Sequence, residues 1–322
     1  RFFPLEFYTA VINNGGGFYA RQVYLNSVRR LGFPILGPDV NQSSLQYRIE
    51  PVNPIHGRGK GLRIGLRQLR GLSEEVMKRI ISQPQRQQQS QPQQSAQAQL
   101  QSQKQQQSLQ AQPQGLRFKS VVDFIRRIDP DIASFRALVQ IGALDSISGC
   151  YTRPQLFWIY SHFEDTEGLF ESPAVPGCIK DYPAARKLRD EYQSSGLIFS
   201  RHPLEVFLPR VAHYLHPEAP PQVDSHTIAE YCGMTVRIAG FLVAAKEIRT
   251  TTQQAMSFVS FEDQYGVFET VLFPRVYRRM VEQLENGVAF LLEGKIEYEW
   301  GSLQLKVARL FPLTRQDKAL TV

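Results

Sequence analysis

The sequence predicts an α+β, multidomain chain, with a mainly helical N-terminal and helix-hairpin-helix region followed by a five-stranded β-barrel of the OB-fold type. Three observations carry this. Apolar residues recur at helical spacing before residue 83 and again between 120 and 147. A glutamine-dominated tract separates those two stretches. From Met234 onward the apolar spacing shortens to two, and five strand-like runs follow with one helix between the third and fourth.

The elements follow in order. Helices are expected near Phe3–Asn13 and Arg21–Leu31, with "NNGGGF" at 13–18 as the loop between them. "GFPILGPDVNQSS" is a turn-rich connector, and a hairpin is expected around Tyr47–Glu50 and Leu62–Leu66. "GRGKG" at 57–61 lacks the G-x-x-x-x-G-K-[ST] spacing of a phosphate loop, so it reads as a hairpin tip that leaves Lys60 free. From 83 to 114 more than half the residues are Gln, mixed with Ser, Ala and Pro. Such a composition buries too little apolar surface to offset chain entropy, and a disordered insertion is expected. "SVVDFIRRIDPDIASFRALVQIGALDSI" reads as two short helices broken at Asp129-Pro130 and at Gly142, and a helical connector runs from Arg153 to about Ser225. The barrel strands are "TVRIAGFLVAAKEI", "MSFVSFED", "GVFETVLF", "AFLLEGKIEYEW" and "GSLQLKVARL", with the helix "PRVYRRMVEQLEN" after the third. Val259 and Phe261 alternate with Ser260 and should line the barrel. The domain boundaries drawn from these shifts are 1–50, 51–150 with the insertion 83–114, 151–228, 229–313 and a tail at 314–322.

The stretch "LRIGLRQLRGLSEEVMKRII" at 62–81 holds the main functional signal. In a helix-hairpin-helix, a glycine-containing hairpin precedes a helix N-terminus, so that free backbone N–H groups and the positive dipole end meet a phosphate. Gly71 permits close approach, Ser73 is a natural N-cap, and Val76, Met77, Ile80 and Ile81 form an apolar face. Lys60, Arg63, Arg67, Arg70, Lys78 and Arg79 supply positive charge around it. Glu74 and Glu75 suit the dipole but repel phosphate, which makes each contact modest. Charge distribution agrees: residues 1–82 hold twelve Lys and Arg against five Asp and Glu, which is the whole formal excess of +7, while the remainder carries twenty-five of each sign. That is the footprint of a polyanion-binding module, with a solvated basic surface as the plain alternative.

Other signals narrow the class. Cys150, Cys178 and Cys232 form no C-x-x-C pair, so neither a disulfide framework nor a zinc site is expected, and a reducing compartment suits them. His202, His213 and His216 lack a matching metal-ligand set. No apolar run approaches the roughly 18 residues of a membrane span. Glu262-Asp263 end a strand at a D-x-x-G turn, a structural place rather than a catalytic one.

Several segments together resemble a known family. "FFPLEFYTAVINN" and "GPDVNQSS" resemble the end of the fingers domain of the C-family polymerases, that is, of the bacterial DNA polymerase III alpha subunit or its error-prone paralogue. "LRIGLRQLRGLSEEVMKRI" and "FRALVQIGALDSI" resemble the family's paired helix-hairpin-helix motifs, "GLIFSRHPLE" its connector, and "VRIAGFLVAAKEIRTTTQQAMSFVSFEDQYGVFETVLFPRVY" its OB domain. The resemblance implies a DNA-binding C-terminal portion that holds duplex product and single-stranded template, with the rest of the alpha subunit as partner and a cytoplasmic setting. The palm aspartates that bind two magnesium ions in that family lie upstream of every segment present here, so this chain is expected to hold no cofactor of its own, while the intact polymerase uses Mg2+. The chain stops soon after the barrel, as a shorter or error-prone relative would. "RPQLFW" at 153–158 is similar to a sliding-clamp-binding peptide, although its apolar spacing reads as core. On the barrel, the expected nucleic-acid contacts are Lys246 and Arg249 in a first loop "AAKEIRTTTQQA" and Trp300 at the "EYEWGS" tip, free to stack on a base. The competing reading is an independent single-strand DNA- or RNA-binding barrel protein.

Overall fold

Helices α1 (Pro4–Asn13) and α2 (Arg21–Arg30) lead into strands β1 (Ile35–Leu36), β2 (Arg48–Pro51) and β3 (Lys60–Arg63). Helices α3 (Glu74–Ser82), α4 (Val121–Ile128), α5 (Ile132–Ile141), α6 (Arg153–Ser161) and α7 (Ala184–Ser195) follow. The chain then forms β4 (Gln222–Val223), β5 (Thr235–Arg249), β6 (Ala255–Glu262), β7 (Val267–Leu272), α8 (Pro274–Asn286), β8 (Ala289–Glu299) and β9 (Ser302–Pro312). This is a computed structural model, and it describes residues 2–15, 17–53, 58–83, 117–163, 175–214, 216–299 and 301–313. The glutamine tract from 84 onward lies outside the described residues, as does the tail from 314. Among the described residues no helix is long and apolar enough to cross a membrane.

The chain divides into two compact units that interleave in sequence: residues 1–36, 47–63 and 196–322 form the first, and 37–46 and 64–195 the second. In the first unit β3 lies between β1 and β2, parallel to β1 with Ile35 opposite Leu62 and antiparallel to β2 with Ile49 opposite Leu62. The predicted hairpin is therefore present. Arg48 and Arg63 face each other across it and both donate to the buried carboxylate of Glu50.

The first unit also holds a closed five-stranded barrel, with the short β4 paired in parallel on its strand β5, and the fold class is α+β as the periodicity predicts. Strand β5 pairs antiparallel with β8 over Thr235–Phe241 and with β6 over Phe241–Arg249, so one strand closes the barrel by serving two neighbours. β7 pairs with β6 and, in parallel, with β9, which returns along β8. A Cβ at Gly240 would lie 2.7 Å from Cβ of Phe261 and 2.8 Å from the Phe268 ring, so glycine here lets both aromatic rings into the interior. Val259 and Phe261 are fully buried in the barrel core, as expected. Val276, Tyr277, Met280 and Leu284 of α8 close one side of that core.

The length of β5 corrects the expectation that Lys246 and Arg249 lie in a loop. β5 has 15 residues, and its pairing with β6 runs out to Arg249 opposite Ala255. Lys246 and Arg249 thus sit on a strand, and the connecting loop shrinks to residues 250–254, held by the Thr250 amide donating to the Gln254 carbonyl at 2.9 Å. The D-x-x-G reading of 263–266 is matched by the turn itself: Asp263 accepts from the amides of Tyr265 and Gly266 and from the amide and hydroxyl of Ser225. Glu262 is buried against Asn26 and Arg30 of α2.

Within the second unit each helix start carries a side-chain hydrogen bond where the sequence offers one. Ser73, Ser120 and Asp131 accept from the third amide beyond them at α3, α4 and α5, and at α6 the Gln155 side chain accepts the Thr152 amide at 2.9 Å. The Asp129-Pro130 break holds Asp129 in the left-handed region at φ 46°, and Gly142 ends α5 at φ 83°. Phe118, Phe124, Phe135 and Leu138 make the core, and buried Asn41 bonds both the amide and the carbonyl of Phe118.

His202 gives the first unit a measurable pH dependence. It is buried, and its Nδ1 accepts the Leu204 amide. Burial first, and then the charges of Arg29 and Arg30, hold its pKa down at about 3. In the unfolded chain the ring titrates at about 6.5. The folded value is the lower one, so this contribution to stability is complete above pH ~6.5 and is lost as pH falls toward 3. Asparagine in its place retains a cap acceptor without a proton site. In urea titrations, the stability lost between pH 7 and pH 5 should be smaller in His202→Asn than in the wild type by about 2 kcal/mol.

Candidate nucleic-acid interface

The hairpin before α3 is built by short-range turns and by one glycine. Leu66–Gln68 form a single 3-10 turn, Leu69 is extended, and Gly71 adopts φ 83°, where a β-carbon is disfavoured. Ser73 then caps α3 by accepting the Val76 amide at 3.2 Å. Val76, Met77 and Ile80 are buried, while Ile81, also expected on the apolar face, is half-buried. Two hairpin amides are already engaged: that of Arg70 donates to the Ser194 carbonyl and that of Ser73 to the Ser134 hydroxyl. The amides of Gly71, Glu74 and Glu75 meet no protein acceptor among the described residues. They sit at the positive end of the helix dipole.

The second hairpin, after α5, differs. Its Gly142 also has φ 83°, but a Cβ there would overlap the Arg153 guanidinium and lie 2.7 Å from Oδ2 of Asp145. Arg153 makes a two-pronged bond to Asp145 and donates to the Gln140 carbonyl. This hairpin is closed over by a side-chain pair. At Gly71 the nearest atom to an added Cβ would be Cβ of Ala137, 3.8 Å away. The first hairpin is open.

The cations expected around the first hairpin fall into two groups. Arg63 lies on β3 in the first unit and is bonded to Glu50, and Lys60 on the same strand pairs with Glu6 at 2.8 Å. Arg79 donates to the carbonyls of Ile128 and Asp129 and to Glu75, so its guanidinium is occupied in joining α3 to the end of α4. Lys78 is exposed in an i,i+4 pair with Glu74, a type of pair that contributes little. Arg67 and Arg70 are exposed and make no ion pair among the described residues. Arg136, absent from the sequence reading, belongs with them: it is exposed on α5 one residue before Ala137, the nearest neighbour of Gly71. Its signal was present as the one basic residue in "FRALVQ", and only the packing of α5 beside the hairpin makes it relevant.

On the barrel, Lys246 and Arg249 are exposed near the end of the β5–β6 pair. Trp300 lies outside the described residues. Tyr298 is an exposed aromatic close to the same tip, with its hydroxyl donating to the Gly301 carbonyl at 3.1 Å. In α6, Leu156 and Ile159 of the clamp-like segment and its helix are buried. A cleft of about 480 Å³ beside the 263–265 turn is lined by His202, Asp224 and Asp263 among others. Its two Asp carboxylates are bonded by neighbouring amides and hydroxyls.

An open glycine hairpin at a capped helix, a second hairpin of like conformation and a closed five-stranded barrel define a protein of the helix-hairpin-helix and OB-barrel class. A family model described as a helix-hairpin-helix motif matches residues 32–111. The chain's homologues are error-prone DNA polymerases. That of Rhodopirellula baltica is 24% identical, covering 100% of this chain and 25% of its own length. That of Teredinibacter turnerae is 25% identical over 91% of this chain and 25% of its own, and that of Methylococcus capsulatus 26% identical over 95% and 28%. The chain thus spans about a quarter of the length of these relatives. A solved domain of replication protein A from Methanococcus maripaludis is 14% identical over 29% of this chain and 97% of that one, with a TM-score of 0.23, too low to bear on function.

The two glycines separate the open hairpin from the closed one in a stability measurement. Gly71→Ala should cost about 1–2 kcal/mol from backbone strain alone. Gly142→Ala should cost that and a further ~1–3 kcal/mol, because Arg153 and Asp145 must move. Urea midpoints of the two variants check the order.

Proposed function

We propose that this chain is a DNA-binding C-terminal portion of an error-prone polymerase, holding duplex through its first helix-hairpin-helix and single-stranded template on its barrel. The observation that carries the reading is the open Gly71 hairpin, where the amides at the start of α3 meet no acceptor, and the nearby Arg67, Arg70 and Arg136 no ion pair, among the described residues. Homology to error-prone polymerases over the whole chain supports it, and so does the concentration of the positive excess in residues 1–82. Backbone amides and arginines meet phosphate oxygens without reading bases, so binding is indifferent to sequence and falls steeply with salt. Lys78 and Ser73 are secondary here: one shares its charge with Glu74, and the other shapes the helix start. Phosphoryl transfer with Mg2+ is assigned to the part of the relatives that this chain does not span. The remainder of that polymerase is its partner. Lys246, Arg249 and an aromatic at the β8–β9 tip, Trp300 or Tyr298, take the single strand, where each stacked base contributes about 1–3 kcal/mol.

The test is the salt dependence of duplex binding, followed by fluorescence anisotropy. Replacing Arg67 and Arg70 together by Ala should reduce the slope of log affinity against log salt by about 1.8, at roughly 0.9 per phosphate contact. An unchanged slope would sink the hairpin assignment. The purified chain should also incorporate no deoxynucleotide on a primed template with magnesium, and template-dependent extension would contradict the division of labour proposed here.

A further inference from the structure

We propose that the outer face of α8 is a second phosphate-binding surface, on which Arg275, Arg278 and Arg279 hold the backbone of single-stranded DNA passing over the barrel. This rests on the DNA-binding reading above and adds a site to it.

The argument begins with the pattern of the helix. In "PRVYRRMVEQLEN", Val276, Tyr277, Met280 and Leu284 face the barrel core. Arg275, Arg278 and Arg279 fall on the opposite side at i, i+3 and i+4, and all three are exposed. None makes an ion pair among the described residues. Their order along the helix is the reverse of what stability favours. A helix gains from acids in its first turn and bases in its last, yet α8 has no acid in its first turn, no base in its last, and Glu282 and Glu285 in its second half. Three arginines gathered near the positive dipole end repel that end and one another. A bound anion relieves both repulsions.

Location strengthens the case. The Tyr277 hydroxyl donates to Oε2 of Glu247 at 2.8 Å, which ties α8 to the strand that carries Lys246 and Arg249 on either side of Glu247. Glu247 is thereby engaged, and the same bond, with burial, pushes the Tyr277 phenol up to about 12, so it remains a donor across the neutral range. Arg249, two residues beyond Glu247 on β5, shares its face of the strand, so four exposed cations, three on α8 and Arg249, belong to one side of one domain, while Lys246 points to the other face. From Arg275 to Arg279 the helix rises roughly 6 Å. That suits two or three successive phosphates of one strand.

The experiment compares four proteins on labelled single-stranded DNA and on duplex over a salt series: wild type, Arg275→Gln with Arg278→Gln and Arg279→Gln, the same three positions changed to Lys, and Glu282→Gln with Glu285→Gln. With three contacts at roughly 0.7 each, the Gln triple variant should lose about 2 from the single-strand slope and bind roughly tenfold more weakly at low salt, with less effect on duplex. The Lys triple variant should retain the slope, and the Glu variant should bind more tightly. Circular dichroism melting confirms that each is folded, and an unfolded Gln triple leaves the Lys and Glu variants to decide. If wild type binds and the Gln triple keeps its slope, or if duplex rather than single-strand binding is lost, the α8 site is overturned while the hairpin reading stands. If wild type binds neither form of DNA, both fall.

Discussion

Strand β5 has to satisfy two barrel neighbours, and β4 besides, along one length of backbone, and most of the first unit is arranged by that requirement. Its first half pairs with β8 and its second half with β6, with a shift in register between Leu242 and Ala244 that bends it from one to the other. At the bend lies Gly240, where the rings of Phe261 and Phe268 occupy the space a side chain would need. Closure removes the exposed edges of an open sheet, and α8 packs its apolar face on the core that it encloses. The end of β5 runs on past the buried part of the strand, and there Lys246 and Arg249 are both exposed on alternate faces.

The same chemistry serves opposite ends in this chain, and burial of the partner decides between them. Arg237 is buried and bonded to buried Glu293, and Arg63 lies against buried Glu50. Removing either arginine leaves a buried carboxylate with one cation, Arg48 or Arg309, in place of two, so both are tied to the fold. Arg153 is part of the fold in another way, filling the space above Gly142. Arg67, Arg70, Arg136 and the three arginines of α8 have no such partner among the described residues, and an anion from outside is what their charge can meet. A count of basic residues treats all of these alike. Only the position of the acids separates them.

That is also where sequence reading ran out. The barrel was legible because its interior repeats every second residue, and the α3 start because Ser73 and Gly71 act on atoms within a few positions of themselves. Side-chain roles set by distant contacts were not. Arg79 and Arg63 count in the sequence as positive charge around the hairpin, and one reaches the Ile128 carbonyl 49 residues on and the other a carboxylate across a hairpin. The closing of Gly142 by Arg153 hides in an 11-residue separation whose geometry depends on the 3-10 turn at Asp145–Ile147. Lys246 and Arg249 were placed in a loop because "KEIRTTTQQA" is polar. Pairing with β6 overrides that propensity, since an outward-facing strand can be polar too.

The interleaving of the two units has one further physical consequence. Residues 37–46 leave the first unit and join the second, where Asn41 bonds both backbone groups of Phe118, the second residue described after the glutamine tract. Arg127 donates to the side chain of Gln83 on one side of the tract and to the carbonyl of Arg117 on the other. The two ends of the described chain are therefore brought together by a residue that belongs to neither. Closing a loop between fixed ends costs free energy only as the logarithm of its length, about 0.6 kcal/mol for each doubling. A fold whose ends are pinned in this way tolerates an insertion of almost any length at that point, because α3 and α4 meet through Arg79 and the Ile128 carbonyl regardless of what connects them. The hairpin at Gly71 lies on the far side of α3 from this junction, at the helix start rather than its end. Its geometry is set by Ser73, Ser134 and Ser194.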